Sequence, residues 1–331
     1  YTCPVFGEVS VETVTFKVDK ERTHHKIRVY HSDSIHDSTV GSATAIPVKT
    51  CIKNPDFLVP INWSKEVSEI VDHINDVSFS IVDKASPFVP LIALQAYSFG
   101  KGKPPQSKAD VKNHIYHTTS KTDESTYPYL EGADIHRYHS TWSGKYLRHG
   151  ACLAEPQTIE RFIGPRILIR EITSPAPYVL TACYVDEPYL YNKSVLHILP
   201  KAKANEELML ALLAVLNSRF ASFLITYLGR KSQRKIFPKI VNDDLKYFPI
   251  PVNFYEYVTT LAQYSREMAR LHEHLREAGE TLERAEWNQA APASDNEIAQ
   301  QIFNLQKELD IEVYKAYGLK NSHVENLEKA C

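Results

Sequence analysis

The sequence predicts an α+β fold: a β-rich body with one long buried helix inside it, followed by a C-terminal antiparallel α-hairpin. Three observations lead there. Short apolar stretches alternate in the strand manner or run uninterrupted through much of the first 200 residues, cut by turn residues and prolines. A nearly continuous apolar run then extends from Glu206 to Leu228, long enough only for a helix. Beyond residue 253, apolar residues step by four and three along two successive segments, the signature of paired helices.

Residues 1–60 form a strand-rich lead-in. Val9, Val11, Val14, Phe16 and Val18 alternate, then Ile27 and Val29, with turns at Asp19-Lys20-Glu21 and Asp33-Ser34. A second region, residues 61–252, opens on a helix, because Val67, Ile70, Val71 and Ile74 share one helical face. Pro87, Pro90, Pro104 and Pro105 confine the next stretch to edge strand and loop. Ile163 to Arg170 reads as a buried strand, with Tyr178–Tyr184 and Val195–Leu199 as partners beside it. The Glu206–Leu228 run could span a bilayer by length, but Arg219 at its centre would be costly in lipid, so a buried core helix is expected.

The third region, residues 253–331, is the hairpin. Tyr257, Leu261, Tyr264, Met268, Leu271, Leu275, Ala278 and Leu282 form a seam on one helix, which Trp287 to Pro292 breaks. Ser294 and Glu297 make a capping box that opens a second helix, with Ile298, Ile302, Leu305, Leu309 and either Val313 or Ala316 as its seam and Gly318 as its stop.

Composition narrows the function. The 331 residues are 43% hydrophobic and 24% charged, a globular balance. Only 11 glycines accompany 19 prolines, 19 tyrosines and 13 phenylalanines, which argues against a Gly-rich nucleotide cradle. Five scattered cysteines with no CxxC pair suggest neither a disulfide framework nor a zinc ribbon, and favour a reducing cytoplasm. The chain opens on Tyr1 without an initiator Met or a leader, and is expected to be part of something longer. Net charge is −2, yet between Tyr97 and Ile250 there are 21 Lys and Arg against 14 Asp and Glu. A basic middle between acidic ends suggests one surface for a polyanion.

Motifs for catalysis do not emerge. Asn54-Pro55-Asp56-Phe57 resembles a base-gripping Asn-Pro-Pro-Tyr tetrad but lacks the second proline and the tyrosine, and reads as a turn. Pro55-Asp56 could open a nuclease core, but Asp110-Val111-Lys112 is too distant to complete it. His114 and His117, like His136 and His139, lie in loop or strand, where residues three apart point to opposite faces, so no metal site is expected. No Ser or Cys occupies a Gly-flanked nucleophile elbow.

Polyanion contacts are better represented. Gly229 to Lys239 carries five cations and no acid: Arg230, Lys231, Arg234, Lys235 and Lys239, with Gln233 among them. Arg and Gln fork onto base edges, while Lys mostly meets phosphate. A second string holds Lys101, Lys103 and Gln106 between small turns, and a third alternates Arg137, Tyr138, Trp142 and Lys145.

In order along the chain, these strings resemble the C-terminal part of DNA adenine-N6 methyltransferases of the TaqI-like group, including fused type IIG restriction–modification enzymes. The resemblance rests on Gly100–Gln106, Tyr129–Tyr138, Trp142–Tyr146, Arg166–Arg170, Leu213–Arg219, Phe237–Ile240 with Phe248–Pro251, and the tail Leu309–Gly318. Val9–Phe16 also resembles a late strand of the methyltransferase domain. The resemblance implies a target-recognition domain for double-stranded DNA. It also implies an upstream methyltransferase domain of the same polypeptide that binds S-adenosylmethionine. The tetrad and the cofactor loop are both missing from this sequence, so no catalysis, cofactor or metal is expected of the fragment itself, and no membrane as partner. The expected DNA contacts are Lys101, Lys103, Gln106, Arg137, Tyr138, Trp142, Lys145, Arg170, Arg230, Lys231, Gln233, Arg234, Lys235 and Lys239. Arg166 and Arg170 could equally pair with Glu171 or Asp134, and structure is the expectation for Arg166. Rival readings are a specificity subunit of a type I restriction system and a protein-interaction module acting through the hairpin. A methyltransferase or nuclease acting by itself comes third.

Overall fold

A computed structural model describes residues 25–30, 44–53, 57, 59, 63–201, 205–231, 238–279 and 297–330. The expected alternation of Val9 to Val18 and the Asn54-Pro55-Asp56 turn lie outside the described residues; Phe57 is described and exposed. The chain divides into two compact units, Tyr1–Asp72 and His73–Cys331.

In the first unit, strands β1 (Lys26–Val29) and β2 (Thr44–Pro47) pair antiparallel with Ile27 opposite Ile46. Helix α1 (Val48–Lys53) follows β2 directly. Helix α2 (Lys65–Val77) starts in this unit and ends in the next; Ser64 Oγ accepts from the Val67 amide and caps its first turn. Val67, Ile70, Val71 and Ile74 are buried, as their spacing predicts.

The second unit is built on two four-stranded sheets. Its elements begin with β3 (Ser78–Ser80), β4 (Phe88–Leu91), the short helix α3 (Lys108–Asn113), β5 (His117–Thr118), β6 (Thr126–Leu130) and β7 (Tyr146–Arg148). There follow β8 (Arg166–Arg170), β9 (Ala182–Val185), β10 (Leu190–Tyr191) and β11 (Val195–Pro200). One sheet has the order β4-β11-β8-β9 and is antiparallel throughout. The prediction of a buried strand flanked by two partners is met by β8 between β11 and β9. Pro90 sits in β4 at the sheet's edge, where its missing amide costs no ladder bond. The other sheet has the order β10-β6-β7-β5. Leu94, Tyr129, Leu130, Leu147, Phe162, Leu168 and Tyr191 share a single apolar core.

The helical part departs from expectation at its start. In place of one long helix there are two, α4 (Glu206–Leu216) and α5 (Arg219–Leu228), bent by 64° at Asn217-Ser218. Two side chains explain the break. Asn217 Oδ1 accepts from the Ala182 amide at 3.1 Å and Nδ2 donates to the Ala182 carbonyl at 3.0 Å, copying a strand partner for β9. Ser218 Oγ accepts from the Ala221 amide and caps α5. From Met209 to Leu216 every residue of α4 is buried, as an all-apolar helix requires. Among the described residues no single helix is long and apolar enough to cross a membrane.

After α6 (Asn242–Lys246), strand β12 (Pro249–Pro251) pairs with β3. Helices α7 (Phe254–Glu277), α8 (Glu297–Ala316) and α9 (Asn321–Ala330) complete the unit. Helix α7 packs on α4 even more extensively than on α8, and Ser265 Oγ donates to the Leu210 carbonyl at 2.7 Å. The predicted seam is therefore real but shared: Leu261, Met268, Leu271 and Leu275 are buried, while Tyr257 and Tyr264 are only half-buried at its flank. Leu282, the break at Trp287–Pro292 and the Ser294 cap lie outside the described residues; Glu297 is the first residue of α8. Gly318, in the left-handed region at φ 57°, ends α8 as predicted, with the Leu319 amide returning to the Tyr314 carbonyl.

One core residue makes a testable statement about stability. His197 on β11 is fully buried between the rings of Phe162 and Tyr191, and neither ring nitrogen has a hydrogen-bond partner. Burial, with Arg166 and Arg161 adding repulsion, pushes its pKa down to about 3. The unfolded chain takes up a proton near pH 6.5 that the folded chain refuses, so stability present at pH 7 is lost as pH falls below about 6, at about 1.4 kcal/mol per pH unit. Asp310, whose pKa burial raises to about 6, contributes with the opposite sign below that pH. The comparison of His197→Leu with the parent isolates the histidine: urea denaturation between pH 7 and pH 4.5 is expected to show a smaller loss for the variant.

Candidate nucleic-acid interface

Three of the expected DNA contacts are corrected by their burial. Arg137, between β6 and β7, lies inside the protein with its Nη2 donating to the Asn217 carbonyl at 2.6 Å and to Gln306 Oε1 at 2.8 Å, and Nη1 to the Leu180 carbonyl at 3.2 Å. The ring of Tyr178 lies 4.7 Å from the guanidinium. Tyr138, at φ 67°, turns inward and donates its hydroxyl to Gln306 Oε1. Gln106 is equally spent: Nε2 donates to the carbonyls of Ala96 and Cys152, and Oε1 accepts from the Ser98 amide. A side chain whose polar atoms are satisfied inside the fold cannot also reach a base, because freeing it would strand its partners.

Arg166 is structural, as expected, but its partners are not Glu171 or Asp134. It is 0% exposed and donates to the carbonyls of Gly164, Glu187 and Tyr189 and to the Tyr191 hydroxyl. Arg170 closes the same strand and is half-buried.

The remaining described cations reach the surface, where several meet carboxylates of this chain. Lys101 and Lys193 share Glu155, each at 2.6 Å and each on its own oxygen. Lys145 meets Glu131 at 2.8 Å, Lys239 meets Glu171 at 3.1 Å, and Arg230 meets Asp243 at 2.7 Å with its guanidinium 5.5 Å from the Tyr247 ring. The two lysines beside it hold Glu155 down to about 2, so it stays ionised. Exposed pairs of this kind contribute at most about 1 kcal/mol, so such a cation can exchange its carboxylate for a phosphate at little cost. Trp142 is 39% exposed and donates its indole N–H to the Lys145 carbonyl at 2.7 Å. The backbone of Lys231 bridges to that of Lys239, closing the base of the basic loop. Gln233, Arg234 and Lys235 lie outside the described residues.

Residues 99–113 form an arm that the sequence reading recognised only in its first half. Its closed loop returns the Gly100 amide to the Gln106 carbonyl and the Gln106 amide to the Lys101 carbonyl. Gly102, at φ 90°, presses its backbone on Cys152, where any Cβ would lie 2.4 Å from the carbonyl oxygen. Helix α3 then projects with a capping box between Ser107 and Asp110, and no residue of it is buried. The signal was present as Ser107-x-x-Asp110. Lys193 was also missed; only folding brings it to Glu155.

Both histidine pairs contradict the opposite-face expectation. His114 takes a left-handed conformation at φ 48°, and its ring lies 5.6 Å from that of His117; His136 and His139 stack at 4.8 Å. Both pairs flank turns rather than continuous strand, which brings third neighbours together. Among the described residues no group of three or more His, Cys, Asp or Glu is placed to hold a metal ion.

The corrected role of Arg137 predicts a phenotype in stability. Arg137→Leu removes the three hydrogen bonds to the Leu180 carbonyl, the Asn217 carbonyl and Gln306 Oε1 and is expected to lower the unfolding free energy by about 3 kcal/mol in urea, while Lys145→Ala changes it by less than about 1 kcal/mol.

No curated protein is a sequence match for the chain. The type IIL restriction–modification enzyme MmeI, solved in complex with DNA, superposes with a TM-score of 0.41 and 11% identity, over 93% of this chain and 42% of that one. The type IIG restriction endonuclease BpuSI gives 0.38 and 11%, over 77% and 33%. The HsdS subunit from Thermoanaerobacter tengcongensis gives 0.29 and 14%, over 76% and 50%. The chain thus spans between a third and a half of each of these structures. Residues 127–250, from β6 through the basic loop to β12, match the family model of the TaqI-like C-terminal specificity domain.

Proposed function

We propose that the chain is the DNA-specificity region of a restriction–modification adenine-N6 methyltransferase, whose S-adenosylmethionine-binding catalytic domain belongs to the same polypeptide but lies outside these residues. The family match over residues 127–250 carries this reading. The exposed or half-buried cations Lys101, Lys103, Lys145, Lys231 and Lys239 support it and would meet phosphates and set register, as would Lys235, which lies outside the described residues. Arg230, Gln233 and Arg234 would read bases, and Arg170 and Trp142 would be further DNA contacts. The region would perform no chemistry itself. The interaction-module reading is disfavoured because the seam it needs is already covered within the chain, α7 burying Leu261, Met268 and Leu271 against α4 and α8.

Selection of the chain against a pool of randomised duplex DNA at moderate salt tests the proposal. Enrichment of a short motif containing an adenine is the expected result. Retention without enrichment, or no retention, would overturn the chain as a self-sufficient reader. On the enriched site, Lys231→Ala is expected to weaken binding equally on all sequences and to flatten the salt slope by about one unit. Arg234→Ala is expected to relax sequence preference; unchanged preference would remove it from the readers.

A further inference from the structure

We propose that the Phe99–Asn113 arm, outside the residues that match the specificity-domain family, is a second duplex-DNA contact surface that grips the phosphate backbone, with the Lys101–Glu155–Lys193 group at its root. The inference rests on the DNA reading above and adds to it an element, α3 with Lys108 and Lys112, and a further cation, Lys193.

The arm's construction is the first argument. A six-residue helix with no fully buried residue gains little packing energy, and an isolated helix of that length does not persist in water. Yet α3 is held at both ends and from below. Ser107 Oγ accepts from the Asp110 amide while Asp110 returns a 2.7 Å bond to the Ser107 amide, and the His114 amide closes on the Asp110 carbonyl. Beneath it, Gln106 carries three hydrogen bonds, and the Lys103 amide donates to the Ala151 carbonyl at 2.7 Å. These contacts fix the position of a helix that serves no core, which is the design of a presented surface.

Charge identifies what the surface meets. The arm carries Lys101, Lys103, Lys108 and Lys112 against one carboxylate, Asp110, which is engaged in the cap. No described carboxylate lies within ion-pair distance of Lys103, Lys108 or Lys112. Lys108 and Lys112, four residues apart, share one face of α3, and Lys108 sits 5.7 Å above the ring of Phe99, itself 66% exposed. At the root, two ammonium groups share one carboxylate, leaving a positive charge and N–H donors facing out. Lysines meet phosphates as point charges rather than forking onto bases, so the arm adds affinity and register without sequence preference.

Fluorescence anisotropy of the full chain on a labelled duplex, titrated over salt, tests this. Lys108→Gln/Lys112→Gln is compared with a charge-matched control on α8, Lys307→Gln/Lys315→Gln, after thermal unfolding confirms that all three proteins fold alike. The arm variant is expected to flatten the slope of log K against log salt by about 1.8 units, equally on the selected site and on a scrambled duplex, while the control leaves the slope unchanged. An unchanged slope in the arm variant, or an equal change in the control, would overturn the arm as a contact. A loss confined to the selected site would overturn the phosphate assignment. If the unmodified chain binds no duplex at all, the DNA reading itself fails and the arm with it.

Discussion

The guanidinium of Arg137 sits where three parts of the second unit converge, and its partners hold them together. It meets the Leu180 carbonyl before β9, the Asn217 carbonyl at the break between α4 and α5, and Gln306 on α8. One turn along α8, Asp310 accepts from the Tyr178 hydroxyl at 2.7 Å and from the Arg219 amide at 2.8 Å. A buried charge costs several kcal/mol in lost hydration, so it persists only where oxygens are already in place to receive it. Here those oxygens come from the β-body, the bent helix and the C-terminal hairpin at once. The network is therefore directional where apolar packing is not, and it registers α8 on the sheet.

That internal use of polar groups divides the polar side chains of the second unit into two populations. Inside, Arg137, Arg166, Gln106 and Asn217 replace missing backbone partners and shape the loops. Outside, Lys101, Lys145, Lys193, Lys239 and Arg230 lie in shallow ion pairs. The pairs hold the cations in defined places in the free protein yet bind them weakly enough for a polyanion to compete. A surface prepared in this way suits a partner whose charge is regular and whose approach is screened by salt.

Much of the fold was legible because it depends on periodicity. The one-face spacing of Val67 to Ile74, the apolar run of β8, the seam from Leu261 to Leu275 and the Gly318 stop all survive in the structure, since each is a local consequence of which face must leave water. The apolar run from Glu206 was read as continuous because Asn217 and Ser218 are compatible with a helix until Ala182 offers Asn217 two backbone bonds from 35 residues away. Likewise, nothing local distinguishes Arg137 from a surface arginine. Gln306 and Asp310, four apart on the apolar face of α8, were the available sign that a buried polar partner exists elsewhere.

By itself, then, the sequence determined the fold class, many of the apolar faces, the resemblance to a specificity-domain family and the sign of the charge in the middle of the chain. These follow from hydrophobic pattern, capping residues and composition, which act over one or two turns of chain. Tertiary structure alone decided which cations face solvent, which carboxylate each one meets, and where the long helix bends. Those outcomes turn on whether a distant backbone group needs a partner, and burial makes that need costly enough to override what each residue prefers locally.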